Sequence, residues 1–305
     1  MKEYPSYLKL IETGEIDKRI EKLYKLLSPC RLCPRNCKAK RLEGKVGFCN
    51  LGKEPKVSSY NLHFGEEPPI TGYRGSGTIF FTGCNMGCVF CQNYPISQLH
   101  HGNVVSVNEL ARMMLYLQKQ GAHNINLVTP TPQVHAIVEA IKIAGEKGLK
   151  IPIVYNCGGY ESPEVIEILD GIVDIYMPDM KYSDNEMAKK YSKARNYVEH
   201  CKESLKIMHK QVGDLLMDSD GVAIKGLLIR HLVLPNNISG TEEVLKFIAE
   251  EISRNTYISL MSQYFPAYMA SDYPEICRRI TKEEFREAER VMMELGFSNG
   301  WIQRI

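Results

Sequence analysis

"TIFFTGCNMGCVFCQN", residues 78–93, joins a short apolar run to three closely spaced cysteines. Its first half, Thr78 to Gly83, is a short apolar run that reads as a strand buried on both faces, as in a parallel sheet. Its second half sets Cys84, Cys88 and Cys91 at C-x3-C-x2-C spacing in the loop that follows. If the run is the first strand of a parallel α/β fold, the three thiols lie at the carboxyl end of that strand, where such folds gather their ligands.

The rest of the chain supports that reading. Five further apolar runs follow: INLVT (125–129), IPIVYN (151–156), IVDIYMPD (172–179), GLLIRHLVL (226–234) and YISLMSQYF (257–265). Helical patterns separate them. VNELARMMLYLQKQG stops at Gly121 and PQVHAIVEAIKIAGEKG at Gly148, while SPEVIEIL opens with Ser162 as N-cap and Pro163 in the first turn. Further helices are expected around 193–212, from about Thr241 to Arg254, and from Thr281, which forms a capping box with Glu284. Six strand-helix units fit an α/β fold built as a partial (β/α)6 TIM-like barrel. Residues 1–76 break the rhythm and read as a cysteine-rich N-terminal appendage, with the barrel and a C-terminal helix occupying 77–305.

Composition narrows the function classes. With 305 residues and 44% apolar content the chain can bury a large core. Its 38 basic and 36 acidic side chains nearly cancel, so neither nucleic acid nor a membrane surface is expected as a partner. No apolar run approaches the roughly 18 residues of a membrane span, and the start MKEYPSYLKLIETGE lacks a signal-peptide core, so a cytoplasmic location is expected. In that reducing compartment, clustered cysteines point to metal or redox chemistry. Seven of the ten cysteines are clustered, and Cys157, Cys201 and Cys277 stand alone.

Three thiolates complete neither a structural four-cysteine zinc site nor the usual catalytic set of zinc ligands. They can hold three irons of an iron–sulfur cubane and leave the fourth open to a ligand that is not protein. With Phe90 just before the final cysteine, C-N-M-G-C-V-F-C resembles the signature of the radical S-adenosylmethionine (SAM) superfamily, and the strand-helix order supports the match over about 77–265.

The resemblance implies a 4Fe-4S cluster on Cys84, Cys88 and Cys91 and SAM on its open iron. It also implies reductive cleavage to a 5'-deoxyadenosyl radical that takes a hydrogen atom from the substrate, with electrons from an external flavodoxin- or ferredoxin-type donor. Phe90 would lie along the adenine, or else belong to the core. After the second strand this chain has VTPTPQ in place of the family's Gly-Gly-Glu, so Thr129 and Thr131 stand in as cofactor-binding residues. Asn156, at the end of the third strand, resembles the family's polar residue for the ribose, and Arg230 is expected to point into the barrel near the SAM. Asp179 and Lys181 resemble the D-x-K of glycyl-radical activating enzymes and would face the substrate or a cation, with a structural ion pair as the alternative. MSQYFPAYMASDYP (261–274) either rims the cavity or caps the barrel.

Upstream, Cys30, Cys33, Cys37 and Cys49 form C-x2-C-x3-C-x11-C, which matches a structural zinc site and an auxiliary cluster equally well. Over nearly its full length the chain resembles the pyruvate formate-lyase activating enzyme-like subgroup. Three functions remain open: an activase that installs a glycyl radical on a partner protein, a radical SAM enzyme acting on a small molecule or peptide, and, from another class, an iron–sulfur electron carrier or metal-stabilised binding protein.

Overall fold

The computed structural model describes residues 5–303, so the first four residues of the segment read as lacking a signal peptide lie outside it. Ten strands make one sheet: β1 (Lys56–His63), β2 (Ser76–Phe81), β3 (Asn103–Val104), β4 (Ile125–Val128), β5 (Ile153–Cys157), β6 (Ile175–Pro178), β7 (Leu216–Met217), β8 (Ala223–Leu232), β9 (Tyr257–Met261) and β10 (Gly300–Ile302). Their order is β10-β9-β8-β6-β5-β4-β2-β1-β3, with β7 attached to β8. The six runs expected as strands are β2, β4, β5, β6, β8 and β9, and every neighbouring pair among them is parallel. The curved sheet is a partial barrel that hydrogen bonds do not close, since β10 ends one edge and the β1–β3 pair the other.

Alternation along each strand explains why both faces are apolar. Leu127, Tyr155, Tyr176, Leu227, Ile229, Ile258 and Leu260 point outward into the core beneath the helices. Val154, Ile175, Met177, Leu228 and Tyr257 point inward and form a second apolar cluster with Ile70. Ile70 comes from the segment between β1 and β2, so this segment plugs the barrel at the end opposite the carboxyl termini of the parallel strands. Fully burying one such side chain contributes roughly 1.5–3 kcal/mol, and the two clusters together fix the register of the barrel strands.

Several local features differ from the sequence reading. Within the segment read as an appendage, β1 pairs antiparallel with β2 and is a strand of the main sheet. At the other end of the chain, β10 adds a seventh parallel strand beyond the C-terminal helix Lys282–Glu294. The helix expected around 193–212 forms as Tyr197–Val212, and an additional helix, Asn185–Ser192, precedes it, separated by Lys193 and Asn196 in left-handed backbone angles. The helix from Thr241 ends at Phe247 and widens into a π-helix, Ile248–Ile252. Ser162 occupies the N-cap of Pro163–Ile168 but makes no side-chain capping bond. The Thr281–Glu284 capping box forms as expected, and Ser106 with Glu109 builds another at the head of Val107–Lys119. Among the described residues no helix is long and apolar enough to cross a membrane.

Candidate active site

The cysteine loop leaves β2 through Gly83, where φ is +81° and a Cβ would lie 2.8 Å from the Cys49 carbonyl. Only glycine combines that backbone angle with so close a neighbour. The loop is then pinned from two sides. The Gly83 N–H donates to the Ile96 carbonyl (3.0 Å), and the Gly87 and Val89 N–H groups donate to the carbonyls of Ser192 and Tyr191, both at 2.8 Å.

Each thiol has its own support. The Ser192 hydroxyl donates to Cys88 Sγ at 2.9 Å and is itself held by the Tyr182 hydroxyl at 2.7 Å. The Met86 N–H reaches Cys84 Sγ at 3.3 Å, and Ser97 Oγ lies 3.1 Å from Cys91 Sγ. Burial, and then the neighbouring Cys88 thiol, push the Cys84 thiol well above its ordinary value. Burial likewise pushes Cys88 up to about 11, against the pull of Lys181. Such thiols ionise when a metal takes up the charge.

Cys88 and Cys91 line one cavity of about 210 Å3 with Phe90, Asp179, Lys181 and Arg230, partly open to solvent. Its floor is a charged network. Arg230 donates from Nε to Asp179 (2.7 Å) and from a terminal nitrogen to Asn156 (2.8 Å), and its other terminal nitrogen lies 3.7 Å from Glu66. Lys181 pairs with the second oxygen of Asp179. Burial alone would raise the Asp179 carboxyl, but Arg230 and Lys181 outweigh it and hold the group ionised, below its ordinary value. Burial would lower Lys181, and Asp179 reverses that too. Arg230 rather than His231 faces the interior. His231 points outward, buried between the Met180 carbonyl (2.7 Å) and the Thr241 hydroxyl (3.0 Å), and burial pushes it down to about 4.

The structure thus brings together the cysteine loop, Phe90, Asn156, Asp179, Lys181 and Arg230. Phe90 is buried against Tyr264 with ring centroids 5.7 Å apart, and it also lines the cavity. Thr131 is spent elsewhere: it is buried and donates to Glu161 at 2.7 Å. Thr129 takes a left-handed φ of +62° at the end of β4, its N–H bonded to the Asn156 carbonyl. Met261 and Gln263 place the start of the 261–274 segment on the cavity wall. Cys30, Cys33, Cys37 and Cys49 line a separate, smaller cavity.

Glu66 is the site residue that sequence reasoning missed. Its carboxylate accepts from Asn126 at 3.0 Å, and burial, opposed by Arg230, pushes it up to about 7. The signal is an acidic pair, Glu66–Glu67, set just before two prolines within the segment read as an appendage.

Glu161 yields a pH prediction. It accepts from Thr131 and from the Tyr155 hydroxyl (3.1 Å), yet burial pushes it up to about 7 from an ordinary 4.5. Between those values the folded chain binds more protons than the unfolded one. The stabilising contribution is therefore present below about pH 4.5 and is lost as pH rises through about 7, at up to about 1.4 kcal/mol per pH unit. In urea unfolding of the metal-loaded protein, Glu161→Gln should lose less stability from pH 5 to pH 7 than the parent. Equal slopes would contradict the assignment.

The donor set fits an iron–sulfur cubane with SAM. Three thiols, Cys88 buried and Cys84 and Cys91 half-buried, carry hydrogen-bond support at sulfur, as cluster ligands do. Among the described residues no three Cys, His, Asp or Glu side chains are gathered closely enough to hold a single metal ion.

The Radical SAM superfamily model matches residues 78–222. An uncharacterized protein of Methanocaldococcus jannaschii is 33% identical over 291 residues, which cover 92% of this chain and 79% of that one. A putative glycyl-radical enzyme activating enzyme of the same organism is 32% identical over 134 residues, 43% of this chain and 53% of its own. Among solved structures, methylornithine synthase aligns with a TM-score of 0.48 at 14% identity, over 72% of this chain and 61% of that one, so the chain spans about three-fifths of its length. Residues 78–222 therefore form a radical SAM superfamily domain, and the chain is an enzyme whose cofactors are a 4Fe-4S cluster and SAM.

Proposed function

We propose that the chain is an activating enzyme that takes a hydrogen atom from a glycyl residue of a partner protein, as in the pyruvate formate-lyase activating enzyme-like subgroup. A reduced cluster held by the trio would supply one electron for cleavage of the carbon–sulfur bond of SAM, which would provide the hydrogen-abstracting chemistry with methionine as the leaving group. An external one-electron donor of the flavodoxin or ferredoxin type renews the electron. The chain's own residues bind, orient and exclude water. Cys84, Cys88 and Cys91 hold the cluster. Phe90 offers a ring face to the adenine, Asn156 and Arg230 supply polar contacts to the nucleoside, and Thr129 contributes at the end of β4. Asp179 and Lys181 hold fixed opposite charges at the substrate end of the cavity.

The observation that carries a protein substrate is the rim. Phe265, Tyr268 and Met269 are 37–39% exposed on the segment that closes over the cysteine loop. Gln92 donates to the Gln263 carbonyl (3.1 Å), the Met269 N–H donates to the Val89 carbonyl (2.9 Å), and Tyr94 stacks on Tyr268 at 5.1 Å. An apolar collar around a polar cavity suits a loop offered by a folded partner. The partial match to a putative activating enzyme supports the same reading.

The test is to mix the reduced, metal-loaded enzyme and SAM with a glycyl-radical enzyme encoded in the same genome. A stable carbon-centred radical should appear on the partner by electron paramagnetic resonance and vanish when the target glycine is replaced by alanine. A radical or deuterium transfer seen only with small molecules or free peptides would overturn the assignment.

A further inference from the structure

The cavity of the four upstream cysteines is furnished for negative charge. Cys30, Cys33, Cys37 and Cys49 stand around about 270 Å3 of atom-free space together with Arg35 and Arg41. Arg41 is 1% exposed. Its guanidinium donates to the carbonyls of Gly52 (3.0 and 2.7 Å) and Pro132 (2.7 Å) and lies 3.8 Å from Cys30 Sγ. Arg35 lies 3.3 Å over the Phe48 ring and donates to the carbonyls of Lys193 (2.7 Å) and Asn85. Among the described residues neither guanidinium has a carboxylate partner, and the acidic groups on the cavity wall are the four thiols. Cations withdrawn from water need an adjacent anion, and deprotonated thiolates supply it.

Four thiolates held together require a metal. A single zinc ion would draw all four sulfurs to one point, about 2.3 Å from each. Here no three metal-binding side chains among the described residues converge in that way, and the sulfurs wall a space instead. We propose that Cys30, Cys33, Cys37 and Cys49 ligate a second 4Fe-4S cluster, one thiolate per iron, with no open corner. It shares a wall with the catalytic loop. The Cys49 carbonyl presses on Gly83, the residue before Cys84, and Asn85 lines the four-cysteine cavity while accepting from Arg35. Cys37 lies on the exposed side.

The test is metal and acid-labile sulfide analysis, with Mössbauer spectroscopy, on protein made and purified without oxygen. The triple variant Cys84→Ala, Cys88→Ala, Cys91→Ala should keep about four irons and a cubane spectrum. The complementary variant with Cys30, Cys33, Cys37 and Cys49 all replaced by alanine should keep about four of the roughly eight irons of the parent, so a folding failure in one variant leaves the other decisive. About one zinc per chain in the triple variant, or no metal in a folded one, would overturn the proposal. Because the triple variant lacks the catalytic trio, its result does not depend on the activity proposed above.

Discussion

Cys88→Ala, reconstituted without oxygen, reduced and given SAM, is expected to release at least about 100-fold less 5'-deoxyadenosine than the parent chain. Loss of a group that merely supports a metal ligand costs about 10–100-fold, and loss of the ligand itself costs more. Cys88 is the best anchored of the three thiols, held through Ser192, the last residue of the helix Asn185–Ser192, and Tyr182, in the segment between β6 and that helix. Ser192→Ala keeps the ligand and removes only the donor, so its release should fall by about tenfold. Chromatographic assay of 5'-deoxyadenosine separates the two. Parent-level release from Cys88→Ala would remove the trio from the chemistry.

Arg230→Met is expected to be the most destabilising change in the barrel interior, by about 3–5 kcal/mol, because it leaves the Asp179 carboxylate buried and short of its main partner. Glu66 and Asn156 lose a neighbour at the same time. Arg230→Lys should recover only part of this, since a point charge cannot reach Asp179, Asn156 and Glu66 together. The double variant Arg230→Met, Asp179→Asn should cost less than the sum of its parts, because the neutral amide needs no cation. Urea unfolding of the metal-loaded variants checks all three. Additive losses would show that the pair is not coupled.

Much of this was legible in the sequence because burial on both faces writes itself as uninterrupted apolar runs. Leu227 and Ile229 face the helices while Leu228 faces the interior, so every position of β8 there is apolar. The same alternation decides between Arg230 and His231, since a residue two places after Leu228 must also face inward. The trio was legible because cluster ligation demands thiols at fixed spacing. What escaped notice depends on distant partners. The partners of β1 and β10 are not local properties, and three residues such as Gly300–Ile302 carry too little pattern to mark a strand. Thr131 looked available for a cofactor until the fold set Glu161 beside it. Glu66 lay in the segment read as an appendage, and only the fold of the plug between β1 and β2 brings it to Arg230.

In the site as proposed, the trio leaves one iron of its cluster open for the amino and carboxylate groups of SAM. Electron–nuclear double resonance on the reduced protein, mixed with SAM carrying 15N at the methionyl amino group, tests this directly. A 15N coupling to the cluster that disappears in Cys88→Ala is expected. A fully assembled cluster at Cys84, Cys88 and Cys91 showing no such coupling in the parent chain would contradict it.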